Sequence, residues 1–335
     1  MKRIGVIVLL IFAIIAIVVL IILSQPSIYE GEVTSTVNAI NKINSSLTLA
    51  IYTDIHHDPK NEVDLYKETL ECIGEVGRKT NIDALWNLGD IINGHTTTKD
   101  EAIVQIKEVT DIEDKITKDA HRIQGNHDNN TQATYESNAG YGAVEILTNE
   151  ELNSVLENTN TTQTEYHSHL RSTDYYVDYD YVGIRVVCIS AEDTTFLPET
   201  AEWLSSVAFK TDHQVLMLAH CPTRPEWGFK EDIQGGELIE DSLREFISSG
   251  GTIIAYIHGH DHGDMISDAG EWKEIAIGCA RFQVPTSNGT PGMTFQDRRH
   301  GDATKFLFDI VCIDKEKRQV FFIRFGAGDD RVTSY

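Results

Sequence analysis

Five short blocks of metal-ligating side chains punctuate this sequence: Asp54-Ile55-His56, Gly89-Asp90, Gly125-Asn126-His127-Asp128, His220, and Gly259-His260-Asp261-His262. Asp, Asn and His together offer the oxygen and nitrogen donors that suit Mn, Fe or Zn, and no ligand-spaced cysteines accompany them to make a structural zinc site. Two divalent cations held about 3.5 to 4 Å apart repel each other, so a pair needs a carboxylate between them and further donors around each. The chemistry open to such a pair is metal-assisted hydrolysis. In an extended chain, residues i and i+2 face the same way at a spacing of about 6 to 7 Å. The spacing of Asp54 and His56 therefore predicts that both grip one ion. In the run "HGHDHG" it places His258, His260 and His262 on one strand face.

Elements must deliver those blocks to one place. Short β-type runs alternate with helical patterns: strand 47–53, helix about 61–79, strand 84–89, helix about 98–116, strand 121–125. Further on come a hairpin turning near Val182-Gly183, a helix at 198–209, strand 214–219, a helix at 238–248 and strand 252–257. This order predicts βαβ units with parallel strands. Three closing runs, "KEIAIGCA", "KFLFDIVCID" and "QVFFIRFG", read as antiparallel strands. Each ligand block follows a predicted strand, where open α/β sheets place their sites. Glycines at 89, 125 and 259 let the backbone turn sharply as it leaves the sheet. Residues 129–173, rich in Asn, Thr, Tyr and Ser, form a long insertion with a short helix expected at 149–157, and insertions of that length are more often functional than idle.

The ordered set D-x-H, G-D, G-N-H-D, H and G-H-x-H resembles the calcineurin-like metallophosphoesterase superfamily, over about Leu47 to Gly326. The resemblance implies an α/β fold, a four-layer αββα sandwich of two mixed β-sheets flanked by helices, with residues 47–335 as one catalytic domain. It implies two divalent transition-metal ions: Asp54, His56 and His262 on the first, Asn126, His220 and His260 on the second, with Asp90 bridging them. It also implies that His127 is no ligand but contacts the scissile phosphate as proton donor, oriented by its neighbour Asp128. The expected reaction is attack of a metal-bridging hydroxide on a phosphate mono- or diester. Two subfamilies fit poorly: Asn93 stands where purple acid phosphatases carry an iron-binding tyrosine, and the residues after His262 leave no room for the extra domain of the five-prime nucleotidases. A metallo-β-lactamase motif, H-x-H-x-D-H near the start, is missing. A non-catalytic scaffold would have shed Asp90 or His127, and both are present.

Other candidates have plainer readings. His258 is assigned to packing or to support of the ligands, and Asp261 to the variable position that points away. His57 and Asp58 extend the first block without an expected ligand role, and Cys221 packs beside His220. His95, His121, His213 and His300 match no family position, while His167 and His169 in the insertion are candidates for substrate contact. Tyr166, Tyr175, Tyr176, Tyr179 and Tyr181 fit strand alternation, with Asp178 and Asp180 on the solvated face. Arg281, Arg298 and Arg299 could meet a substrate anion, although the last two lie in a polar loop.

Charge and termini bound the setting. A formal net charge of −24 opposes a nucleic-acid partner, which requires a Lys and Arg surplus. After Met1-Lys2-Arg3, residues 4–23 carry no charge and are long enough to span a hydrocarbon core of about 30 Å. Residues 1–24 are expected to be a membrane anchor, or else a cleaved signal yielding a secreted protein. Lys2 and Arg3 on the cytoplasmic side would leave the catalytic domain extracytoplasmic, behind a polar stalk at 25–46 that has room for a short helix near Val37 to Ile43. Five scattered cysteines point to buried free thiols, with one disulfide left open.

Overall fold

Strands that are apolar on both sides must be covered on both sides. In β1 (Leu47–Tyr52), Leu47, Leu49 and Ile51 enter a core shared by two sheets, while Ala50 and Tyr52 face helices. In β6 (Gln214–Ala219), Leu216 and Leu218 enter the same shared core and Val215, Met217 and Ala219 face the opposite way. The consequence is four layers. The structure is a computed structural model that describes residues 29–61, 63–96, 98–130, 145–156, 174–191, 194–224, 233–283 and 292–335.

The first sheet has β2 (Ala84–Asn87) and β3 (Ala120–Arg122) parallel to β1 on one side. On the other side β10 (Leu307–Asp314), β11 (Gln319–Gly326) and β12 (Arg331–Ser334) run antiparallel, giving the order β12-β11-β10-β1-β2-β3. The second sheet is ordered β4-β5-β6-β7-β9-β8. Its β5 (Ile184–Ile189), β6, β7 (Ile253–His258) and β9 (Lys273–Ile277) are parallel, and β4 (Tyr175–Tyr179) and β8 (Asp264–Asp268) are antiparallel edges. Helices α1 (Glu30–Ile40), α2 (Tyr66–Lys79), α3 (Lys99–Ile116) and α4 (Asn149–Leu156) pack on the first sheet. Helices α5 (Pro198–Trp203) and α6 (Gly236–Ser248) cover the second. A capping box starts α3, with the Thr98 hydroxyl and the Glu101 carboxylate each accepting the other's backbone N–H.

The αββα expectation is met, with three corrections of detail. Residues 25–46 are not wholly a stalk, because α1 is seated on the domain with Val33, Thr36 and Ile40 buried and Tyr29 edge-on to Phe306 at 4.7 Å. Its i, i+3, i+4, i+7 stripe includes a threonine, which hides the helical period. Second, β9 does not join an antiparallel closure; it pairs parallel with β7 and antiparallel with β8. Third, β8 and β12 escape a hydrophobic reading because Asp264, Ser267, Asp268, Arg331 and Ser334 occupy them.

Buried arginines join the sheets: Arg324 pairs with Asp309 at 2.9 Å and Asp264 at 2.7 Å, and Arg331 contacts both. All five cysteines are buried, and none forms a disulfide with another. The segment 1–24 and most of the insertion, with Tyr166, His167 and His169, lie outside the described residues. Among the described residues no helix is long and apolar enough to cross a membrane.

Candidate metal centre

The five blocks converge at the carboxyl ends of β1, β2, β3, β6 and β7. Beyond the strands the loops remain hydrogen-bonded to one another: Asp54 N donates to Gly89 O at 2.9 Å and His56 N to Asp90 O at 2.9 Å. One group gathers Asp54 Oδ1, His56 Nε2 and His262 Nε2, with the two imidazole nitrogens 3.0 Å apart and His262 Nε2 3.2 Å from Asp54 Oδ1. The other gathers Asn126 Oδ1, His220 Nε2 and His260 Nδ1, at 3.1 and 2.9 Å from the Asn126 oxygen. Asp90 Oδ2 stands between them, 3.6 Å from His56 Nε2 and 3.2 Å from His220 Nε2. The structure thus brings together all seven residues expected as metal ligands.

Backbone conformation, not strand pleating, sets their directions. Among the described residues, seven other than glycine have positive φ, and five of these are Asp54 (53°), His56 (45°), Asp90 (52°), His260 (66°) and His262 (58°). The two-residue spacings therefore do not act through an extended chain: β7 ends at His258, and His260 and His262 sit in a left-handed turn beyond it. Such φ values cost on the order of 1 kcal/mol or more each and cluster at functional sites. Only Gly89 among the three motif glycines has positive φ (98°). Gly125 and Gly259 are required by close approach: a Cβ on Gly125 would stand 2.1 Å from Asp90 N, and one on Gly259 2.0 Å from Thr53 Oγ1 and 2.5 Å from Asp54 Oδ2.

The residues fit a pair of cations. Asp54 Oδ1 is fully buried and makes no well-aligned hydrogen bond, with His262 Nε2 beside it at 3.2 Å. His220 Nδ1–H donates to Leu88 O at 2.9 Å and His262 Nδ1–H to Gln283 Oε1 at 3.1 Å, which turns each Nε2 lone pair into the site. Burial raises the Asp54 carboxyl, but His262 and His220 outweigh it and hold it at about 2. Burial also disfavours charge on His220, yet Asp90 and Asp54 push it up to about 10, and Asp54 raises His262 in the same way. Burial holds His260 down at about 3, with His220 adding to it, and depresses His56 well below its usual range. Protons on His220 and His262 thus balance Asp54 and Asp90, as divalent ions would.

His127 stands apart from the two groups. Its Nδ1–H donates to Asn93 O at 2.8 Å, and Nε2 lies 3.8 Å from Asp90 Oδ2, with the side chain partly exposed. The expectation that Asp128 orients it is not met. The Asp128 carboxylate accepts four backbone N–H bonds: Gly125 at 2.8 Å and Asp90 at 3.1 Å on Oδ2, Ile91 at 2.7 Å and Ile92 at 3.3 Å on Oδ1. It clamps the β2 and β3 loops together, and the Asn93 carbonyl takes the orienting role.

The remaining candidates fall into place. His57 spends both ring nitrogens on Asp64 (2.5 Å) and Glu108 (2.7 Å), so it has no lone pair for a metal. His258 is buried, bonds Gly259 O through Nδ1, and lies 3.7 Å from Asp261, itself buried. His121 stacks on Trp86 at 4.1 Å in the core. Asp178 is not simply solvated; it pairs with Arg185 at 2.6 Å. Arg298 is buried and donates to the carbonyls of Cys279, Ala280, Arg281 and Lys305, correcting its reading as solvated charge. Sequence reasoning missed Gln283 and the Asn93 carbonyl. A lone glutamine 21 positions after His262 carries no spacing signal, and a backbone carbonyl carries none at all.

Comparison with known proteins places this geometry. A sequence model of calcineurin-like phosphoesterases matches residues 47–264. No curated protein is matched by sequence. Among solved structures, a dimetal phosphatase from Danio rerio is similar with TM-score 0.60 and 15% identity, covering 87% of this chain and 100% of its own. A putative 5'-nucleotidase from Staphylococcus aureus gives TM-score 0.43 and 12% identity over 86% of this chain and 54% of its own. The five motif blocks, their convergence and the family match over most of the chain lead to one conclusion: the protein belongs to the calcineurin-like phosphoesterases and is a metal-dependent phosphoesterase.

Proposed function

We propose that the chain hydrolyses a phosphate mono- or diester with two divalent ions, of Mn, Fe or Zn, held by Asp54, His56 and His262 on one side and Asn126, His220 and His260 on the other. The observation that carries this reading is Asp90 Oδ2, placed between the two histidine groups at 3.6 and 3.2 Å. When bound, the ions lower the pKa of the attacking water and neutralise charge on the phosphoryl oxygens. The chain does the rest. Asp90 Oδ1 accepts the His127 backbone N–H at 2.9 Å, which ties the bridging carboxylate to the proton donor. With Nδ1–H fixed on the Asn93 carbonyl, the His127 ring presents only Nε2 to a substrate, where it holds a proton for the leaving oxygen. Asp128 holds both loops at the right separation.

The apolar residues 4–23 support a membrane-attached enzyme whose catalytic domain lies outside the cytoplasm. The test uses residues 25–335 reconstituted separately with Mn, Fe and Zn. Close to two ions per chain by elemental analysis and turnover of an aryl phosphate ester are expected. A protein that stays metal-free and inert after all three reconstitutions refutes the reading.

A further inference from the structure

We propose that Arg281 grips the terminal oxygens of the substrate's phosphoryl group beside His127 and favours the dianion of a phosphomonoester over a diester. The inference rests on the phosphoesterase reading and names the substrate class of that site. Arg281 follows β9 on a loop bound to the first ligand block: Ala280 N donates to Thr53 O at 2.8 Å and Arg281 N to Asp54 O at 3.0 Å. Its guanidinium reaches the loop after β2, where Nη1 donates to Asn93 Oδ1 at 3.2 Å. Asn93 is also the residue whose carbonyl holds His127, so the guanidinium stands one residue away from the proton donor.

Two facts separate this arginine from the others near the site. Among the described residues no carboxylate lies within ion-pair distance of Arg281, whereas Arg324 and Arg331 are each paired with Asp264 and Asp309. Arg281 is also partly exposed, and among the described residues its guanidinium has no side-chain hydrogen bond besides the one to Asn93. A cation unpaired among the described residues, in a chain carrying a net charge of −24, is a local reversal of sign. It attracts an anion where the rest of the surface repels one.

The loop is built to hold it there. The buried Arg298 guanidinium donates to the carbonyls of Cys279, Ala280 and Arg281, three residues in succession. Arg298 is thus a positioning residue, and among the described residues Arg281 is the arginine of this loop left to meet substrate. A guanidinium fork matches phosphoryl oxygens in pairs and is always charged. A monoester dianion offers it more charge and one more terminal oxygen than a diester monoanion.

The experiment compares the metal-loaded wild type with Arg281→Gln and Arg281→Lys. Inorganic phosphate binding is measured by calorimetry, metal content by elemental analysis, and kcat/KM on aryl phosphate and bis-aryl phosphate. In Arg281→Gln, phosphate affinity should fall about 10- to 100-fold at unchanged metal content, as expected for loss of a charge-assisted pair. Monoester kcat/KM should fall by a similar factor and diester kcat/KM by clearly less, with Arg281→Lys intermediate on both. Phosphate affinity in Arg281→Gln within twofold of wild type, or equal losses on the two esters, overturns the assignment while leaving the phosphoesterase reading intact. A wild type that loads metal but neither binds phosphate nor turns over either ester overturns both.

Discussion

Replacing Asp128 by asparagine separates two roles that sequence alone would merge. The carboxylate receives four backbone N–H groups, two on each oxygen, all in buried surroundings. An amide keeps one of those oxygens and turns an NH2 toward the other pair of donors. Two buried N–H groups are then unsatisfied, at about 1 to 3 kcal/mol each, or roughly 2 to 6 kcal/mol in total. A domain with about 5 to 15 kcal/mol of stability has little room for that loss. Asp128→Asn should therefore lower the urea midpoint by roughly 1 to 2 M and reduce metal content, since the Asp90 and Asn126 loops are what the clamp holds. The measurements are denaturation of the metal-free protein, ions per chain after reconstitution, and a pH–rate profile. If stability and metal content are unchanged while kcat drops a hundredfold and the basic limb moves, Asp128 acts through His127 and the clamp reasoning is wrong.

His127→Ala should keep both ions and lose at least about 100-fold in kcat, the usual worth of a proton donor; loss of metal would contradict its separation from the ligands. Asp90→Ala should lose metal and activity together, read by elemental analysis, and two ions retained would exclude a bridge. Metal affinity should rise with pH, because His220, raised to about 10, and the raised His262 hold protons that ions must displace. Calorimetry in two buffers of different ionisation heat should show proton release near neutral pH, and buffer-independent heats would refute it. In the metal-free protein the signs are opposite for acid and base. The His220 contribution to stability is full below about pH 6.5 and fades as pH rises through about 10. The Asp54 contribution is present above about 3.9 and fades toward about 2. Gly259→Ala should displace Asp54 and cost about 1 to 3 kcal/mol by overpacking, and unchanged first-site metal affinity would show that Thr53 yields instead.

The convergence of the five blocks was legible because each combines rare ligand types with a strand end, and the blocks keep their order over about two hundred residues. The fold was legible where strands are apolar on both faces, as in "QVLMLA" and "DIVCI". What stayed hidden was local conformation. Asp-x-His reads equally as a strand pair or a left-handed turn, and side-chain types do not distinguish them. Helix α1 was legible only at its C-terminal end, because Thr36 interrupts its buried stripe, and β8 and β12 were obscured by charges that find their partners in Arg324, Arg331 and the opposite sheet. Asp128 looked catalytic by adjacency, but its acceptor capacity is spent on the backbone.

The left-handed ligand residues make each of these positions answer to two demands at once. At Asp54, His56, Asp90, His260 and His262, the residues proposed to hold the ions, the side chain would coordinate while the backbone tolerates a shape that β-carbons resist. Truncation to alanine removes the donor yet keeps the steric burden, whereas truncation to glycine removes both. Glycine variants of these residues should therefore be more stable than the alanine variants, while binding metal no better. In this protein, cation capture and loop geometry trade against each other residue by residue, and a ligand lost by mutation can leave behind a sturdier fold.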